Sequence, residues 1–195
     1  MKTIYVIRHA KAKGQPFHAP LTEDGKQQAL ELADFLGKRS IEAVYSSPFV
    51  RALETIGPFA KQSGLLIQED ERLGERVLSD RDLPDWMDRL KESFEDFSLA
   101  LPGGESNGQA MERANAFIED ILKKEEDHVV CVSHGNLSTL LLRLFDEKFG
   151  YDELFALSNP DVYEVIVEDE GAAVRRIWGQ EEEQIRGIQV ESNHV

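Results

Sequence analysis

Near its amino end the chain carries Thr3-Ile4-Tyr5-Val6-Ile7, a short β-branched run that is apolar on both faces of a strand. Successive strand side chains point to opposite faces, so such a segment buries all of them only when covered from both sides. This one run therefore predicts a central strand with helices above and below it, which is the layered α/β plan.

The rest of the chain repeats the unit. After a loop holding Gly14, Pro16 and Pro20, Thr22 is placed to cap a helix over 23–38, with Ala29, Leu32, Ala33 and Leu36 on its apolar stripe. Ala43-Val44-Tyr45 reads as a second strand, and Ser47 as N-cap with Pro48 in the first turn opens a helix reaching about residue 62. Leu65-Leu66-Ile67 is a third strand, followed by a charge-dense loop from Glu69 to Pro84 and a helix over about 85–97. Pro102-Gly103-Gly104 signals a turn before a long helix over 105–124, whose apolar face carries Met111, Ala114, Phe117, Ile118 and Ile121. Val129–Ser133 is a fourth buried strand, leading through His134-Gly135 into a helix over about 137–149. Runs at 162–168 and 173–178, separated by Glu170-Gly171, form a hairpin.

These elements predict a three-layer αβα sandwich whose sheet is mainly parallel, with an antiparallel edge strand from the hairpin. Residues 1–180 are expected to be one domain with a lid-like insertion at about 69–104, and the polar, acidic 181–195 a frayed tail. Strand edges in the hairpin offer a pairing surface for a homodimer.

Composition narrows the function classes. A net charge of −15 repels nucleic acid and anionic lipid, so no nucleic-acid or membrane partner is expected, and an anionic substrate needs a locally positive pocket. No apolar run approaches a membrane span, and the first residues lack a signal-peptide pattern, so the expected location is cytoplasmic. The single cysteine, Cys131, lies in an apolar run and reads as a small buried hydrophobe. The five histidines include no paired ligand spacing, and neither a Walker A nor a GxGxxG motif is present, so no metal or cofactor is implied. His18 and His128 read as loop or surface residues, Trp86 and Trp178 as core or lid, and Phe94 and Phe97 as packing.

In parallel α/β sheets ligands bind beyond the carboxyl ends of the strands. Arg8-His9, Ser46 to Arg51, Glu69 to Glu75 and Ser133-His134 should therefore converge. Arg8 offers a rigid fork of donors matching phosphate oxygens. Arg51 would sit in the first turn of its helix, where a cation opposes the helix dipole, a placement that hints at an anionic ligand; solvent exposure or pairing with Glu54 is the bland reading. His134 supplies a second imidazole, or else is a satisfied core histidine.

With these residues the sequence resembles the histidine phosphatase superfamily, in its phosphoglycerate mutase-like branch. Four motifs carry the resemblance: Ile7-Arg8-His9-Ala10, Pro20 to Ala29, Ser46 to Thr55, and Val132-Ser133-His134-Gly135; Pro102-Gly103-Gly104-Glu105-Ser106 resembles a fifth. The resemblance implies a phosphomonoester hydrolase acting on small phosphorylated metabolites. His9 would attack phosphorus and form a phosphohistidine, with Arg8, Arg51 and His134 around the phosphoryl oxygens. Glu75, in the Leu-x-Glu setting of Arg72-Leu73-Gly74-Glu75-Arg76, would be the proton donor, with Asp80 and Asp82 as understudies. Two neighbouring cations would depress the pKa of His9 and keep it nucleophilic near neutrality.

The chain departs from the family pattern at Ala10, where glycine is commoner, and at Lys11, changes expected to narrow the pocket or make it more basic. Gln15 stands where relatives place a phosphate-contacting asparagine; Ser106 either borders the site or caps a helix. Alternative readings are mutase-type phosphoryl transfer, disfavoured because the Glu75 neighbourhood lacks a Glu-Arg-His-Tyr-Gly element; a non-catalytic phospho-ligand module; and a phosphohistidine protein phosphatase, which would lack the glutamate donor.

Overall fold

The computed structural model describes residues 1–179; the acidic 181–195 segment, expected to fray, lies outside them. Six strands form one sheet: β1 (Lys2–Arg8), β2 (Ala43–Ser46), β3 (Ile67–Glu69), β4 (His128–Ser133), β5 (Asp161–Glu168) and β6 (Gly171–Arg176). Their order across the sheet is β3-β2-β4-β1-β5-β6. The first four are mutually parallel, while β5 runs antiparallel to β1 and β6 antiparallel to β5. The hairpin thus supplies two antiparallel ladders rather than one, with β5 interior and β6 as the edge.

The two-residue period of β1 sorts its side chains between two cores. Ile4 and Val6 pack with Val129 and Cys131 under α4 (Asn107–Leu122) and α5 (Gly135–Arg143). Tyr5 and Ile7 face the other way with Val130 and Val132, under α1 (Glu23–Gly37) and α2 (Val50–Ser63). This is the three-layer arrangement, with β1 buried on both faces as its apolar run demands. Two smaller helices, α3 (Trp86–Glu95) and α6 (Tyr151–Ala156), lie against each other beyond the strand ends, where Leu90 packs with Leu154 and Leu157. Among the described residues no helix is long and apolar enough to cross a membrane.

Local chemistry explains most boundaries. Thr22 caps α1, its hydroxyl accepting the Gly25 N–H at 2.9 Å. Gly25 is required for a different reason: a Cβ there would lie 2.0 Å from the Lys11 carbonyl oxygen, so α1 sits directly on the loop that follows β1. Ser106 opens α4 in a reciprocal capping box with Gln109, the capping role among its two readings.

Several expected boundaries are displaced. The third strand is Ile67–Glu69, because Leu65-Leu66 lies before the ladder and Leu66 is exposed. The helix after His134 starts earlier and ends at Arg143, and the chain then forms the separate α6, a six-residue helix too short to carry a periodic signal. Ser47 is not an N-cap: α2 begins at Val50 after Phe49, and the Ser47 hydroxyl is engaged elsewhere.

Candidate active site

Residues 9, 47 and 134 follow directly on three adjacent parallel strands, and the ladder hydrogen bonds extend past the strand ends to fix them. His9 N–H donates to the Ser133 carbonyl at 3.0 Å, and Ser47 N–H to that of Val132 at 2.9 Å. The imidazoles of His9 and His134 consequently stand edge to face, their centroids 5.2 Å apart. Arg51, in the first turn of α2, is 1% exposed and donates its Nε–H to His9 Nε2 at 3.2 Å. His9, Arg51 and His134, distant in sequence, are thereby brought together, with Ser47 beside His134.

His9 has a fixed tautomer. Its Nδ1 lies 2.6 Å from the Ala10 carbonyl oxygen, which can only accept, so Nδ1 carries the hydrogen and Nε2 the lone pair. The Nε–H of Arg51 donates to that lone pair. Burial pushes the His9 pKa down to about 4, the Ala10 carbonyl works in the opposite direction, and the charges of Arg51 and Arg8 lower it further. The expected direction holds, but desolvation outweighs the neighbouring cations as its cause. His134, 0% exposed, is likewise held well below the ordinary histidine value by burial first, then by His9, Arg51 and more distant cations. Its Nε2 is 2.7 Å from Ser47 Oγ, while its buried Nδ1 has no partner among the described residues.

The guanidiniums are held by carbonyls, not by acids. Arg51 Nη1 donates to the carbonyls of Gln15 and Pro16 at 2.8 and 3.0 Å, and Arg8 Nη1 to that of Leu157 at 3.1 Å. Arg8 Nε is buried and has no hydrogen-bond partner among the described residues. Glu54 does not pair with Arg51; it accepts the Leu21 N–H instead. In a chain of net charge −15, neither Arg8 nor Arg51 has a carboxylate at ion-pair distance among the described residues; Glu75 acts on both, and Asp161 on Arg8, only from farther away. A Cβ at Gly135 would come 3.2 Å from the Arg8 guanidinium, so glycine there leaves room for that approach.

Glu75 is delivered from the loop after β3. Its carboxylate accepts the backbone N–H groups of Arg76, Asn136 and Leu137 at 2.9, 3.1 and 3.0 Å, which seats it on the first turn of α5 directly beyond His134. The loop is braced by Arg113, which donates to the carbonyls of Arg72 and Gly74 while its fork grips Glu105, and by Ser133 Oγ on the Leu73 carbonyl. Arg8, Gln15, Glu75, Arg76 and Asn136 form the polar lining of a cavity of about 510 Å³. Leu78, Trp86, Leu90, Leu154 and Phe155 form its apolar lining.

Other expectations are corrected. Asp80 and Asp82 are not part of this cavity's lining; Asp80 sits against the turn at Gly103. The Ala10 methyl does not narrow the pocket, because it is buried in a small cluster with Leu21 and Ala29. Lys11 leans towards Asp24 at 3.7 Å on α1. Gln15 reaches the site by its carbonyl, on Arg51, as well as by lining the cavity. Ser47, Arg113 and Asn136 carried no separate sequence signal, and neither did Leu157 and Asn159, whose side-chain amide holds the His9 carbonyl at 2.9 Å.

An imidazole of fixed tautomer against the Arg51 guanidinium, with Arg8 and a carboxylate on the cavity wall, defines a site suited to phosphoryl groups. A sequence profile of the histidine phosphatase superfamily, branch 1, matches residues 4–179, and the chain belongs to that family. It is similar to phosphoserine phosphatase 1 of Hydrogenobacter thermophilus, 28% identical over 150 residues that cover 69% of this chain and 71% of the relative. It is also similar to glucosyl-3-phosphoglycerate phosphatase of Mycobacterium tuberculosis, 30% identical over 149 residues, covering 64% and 65% respectively. A solved mycobacterial glucosyl-3-phosphoglycerate phosphatase in complex with inorganic phosphate superposes with a TM-score of 0.74 at 26% identity, over 91% of this chain and 96% of that one.

Proposed function

We propose that the protein hydrolyses small phosphomonoesters through a phosphohistidine on His9 Nε2. The observation that carries this reading is the His9 geometry: a tautomer fixed by the Ala10 carbonyl, a lone pair on Nε2, and Arg51 beside it. Arg8, Arg51 and His134 bind the phosphoryl oxygens. Because Arg51 Nε rests on the nucleophile's lone pair, an incoming phosphoryl oxygen takes over that N–H and frees Nε2 for attack.

In the first step Nε2 forms a bond to phosphorus as the ester P–O bond breaks, and Glu75 gives a proton to the leaving oxygen. The positive charge that develops on the ring is shared through Nδ1–H with the Ala10 carbonyl, and the guanidiniums offset charge on the equatorial oxygens. In the second step the Glu75 carboxylate takes a proton from water, the water oxygen bonds to phosphorus, and the N–P bond breaks to restore Nε2. The segment 69–104 acts as a lid, since it contributes Glu75, Arg76, Leu78, Trp86 and Leu90 to the cavity.

The test is a phosphomonoester panel on the wild type and His9→Ala, with acid-labile, base-stable phosphate on the protein followed by mass spectrometry. Turnover and label should both vanish in the variant. Turnover that survives, or label on another residue, refutes the reading. Phosphoglycerate interconversion faster than phosphate release would favour the mutase alternative, and binding without turnover the non-catalytic one.

A further inference from the structure

Beyond its phosphoryl end the cavity is walled by Leu78, Trp86, Leu90, Leu154 and Phe155. Leu90 and Leu154 are buried and join α3 to α6. Trp86 and Phe155, one from each of these helices, line the same cavity yet stay 48% and 50% exposed. The Phe155 ring stands edgewise against Tyr151, centroids 4.9 Å apart, which holds it to its helix. Two large aromatics left half in water on one cavity leave apolar area for a ligand to cover.

The polar groups of this lining are largely committed elsewhere. Glu75 accepts three backbone N–H groups, and Arg8 is assigned to the phosphoryl oxygens by the mechanism above. Arg76 is buried, with Nε on the Glu105 carbonyl at 2.8 Å, Nη1 on Ser93 Oγ at 3.1 Å and Nη2 enclosed. Asn136 is buried too: its Nδ2 donates to Asn107 Oδ1, and its own Oδ1 is enclosed. Gln15 alone among them is exposed, on the loop whose carbonyls hold Arg51. An alcohol rich in hydroxyls or charge would give up water against this wall and find few donors or acceptors in exchange, a cost that an apolar alcohol does not meet.

We propose that Trp86 and Phe155, with Leu78, form a leaving-group subsite that selects phosphomonoesters of apolar alcohols over hydroxylated or charged ones. The inference rests on the phosphatase reading above and names the substrate class within it. One short stretch ties the subsite to the phosphoryl end: α6 carries Leu154 and Phe155, and the Leu157 carbonyl just after it accepts from Arg8 Nη1 at 3.1 Å. Apolar contact on α6 is therefore made by the segment that also positions the Arg8 fork.

The experiment measures kcat/KM for the n-alkyl phosphates from ethyl to hexyl. Their alcohols differ little in acidity, so the series reads contact with the wall and not the ease of bond cleavage. Full burial of a methylene corresponds to about fourfold and a half-open wall to about twofold, so hexyl phosphate should exceed ethyl phosphate by about tenfold or more. Propyl phosphate should also exceed glycerol 3-phosphate, its equal in carbon number. In Trp86→Ala and in Phe155→Ala the gain per methylene falls, and in the double variant it approaches none. Trp86→Phe and Phe155→Leu, which keep an apolar side chain, retain most of it. Both side chains are half-exposed, so truncating them hollows no core. A flat series in the wild type, or glycerol 3-phosphate preferred to propyl phosphate, overturns the proposal. So does a gain per methylene unchanged in the double variant with every ester slowed alike, the mark of a purely structural pair. A flat series with turnover defeats this inference alone; no turnover of any ester defeats the phosphatase reading with it.

Discussion

Replacing His9 with glutamine isolates the energetic consequence of burying a neutral imidazole. Its pKa falls from 6.5 in the unfolded chain to about 4 in the folded one, chiefly through burial. The folded state therefore resists a proton that the unfolded state accepts, so between these values the unfolded chain binds more protons and stability declines as pH falls. Above about pH 6.5 both states are neutral and the group contributes no pH dependence. Integrated from pH 7 to pH 5, the shift corresponds to about 2 kcal/mol of stability lost by the wild type through this one residue. His9→Gln removes that contribution while every other titrating group stays, so its unfolding free energy should fall by about 2 kcal/mol less over the same interval. Urea titrations at pH 7, 6 and 5 in phosphate-free buffer measure the difference; phosphate must be absent because an anion beside the ring would favour its charged form. Parallel curves for the two proteins, or an imidazole that titrates near 6.5 by NMR in the folded state, would refute the reasoning.

Other substitutions probe separate parts of the site. Glu75→Gln cannot give up a proton, so hydrolysis of alkyl phosphates should slow by about a hundredfold or more, with p-nitrophenyl phosphate, whose leaving group needs no proton, far less affected; equal losses on both would remove Glu75 from proton transfer. Arg51→Lys keeps a charge but loses the Nε contact to His9 and the paired hydrogen bonds to the Gln15 and Pro16 carbonyls, and kcat/KM should drop about tenfold to a hundredfold. Gly25→Ala forces a methyl against the Lys11 carbonyl and should cost about 2 kcal/mol in thermal or urea unfolding. An alanine variant as stable as the wild type would show that α1 can shift away.

The local sequence determined the architecture because its signals act over short range. Both-face apolarity placed β1 at the centre, Thr22 and Ser106 marked helix starts through their own hydroxyls, and Arg8, His9, Arg51 and His134 followed strand ends where parallel sheets collect ligands. What only the tertiary structure decided are contacts between segments that have no reason to be neighbours until the sheet forms. Ser47 looked like a cap and instead bonds His134; Glu75 needed the amides of α5, 61 residues away, to be held in place. Burial, not adjacent charge, proved the main cause of the neutral His9, because desolvation depends on how much protein surrounds a group and not on which residues stand beside it in the chain. For the same reason the burial of Arg76 is invisible in a charge-dense loop: whether a guanidinium is solvated or enclosed is settled only when Ser93 of α3 and the Glu105 carbonyl before α4 close on it.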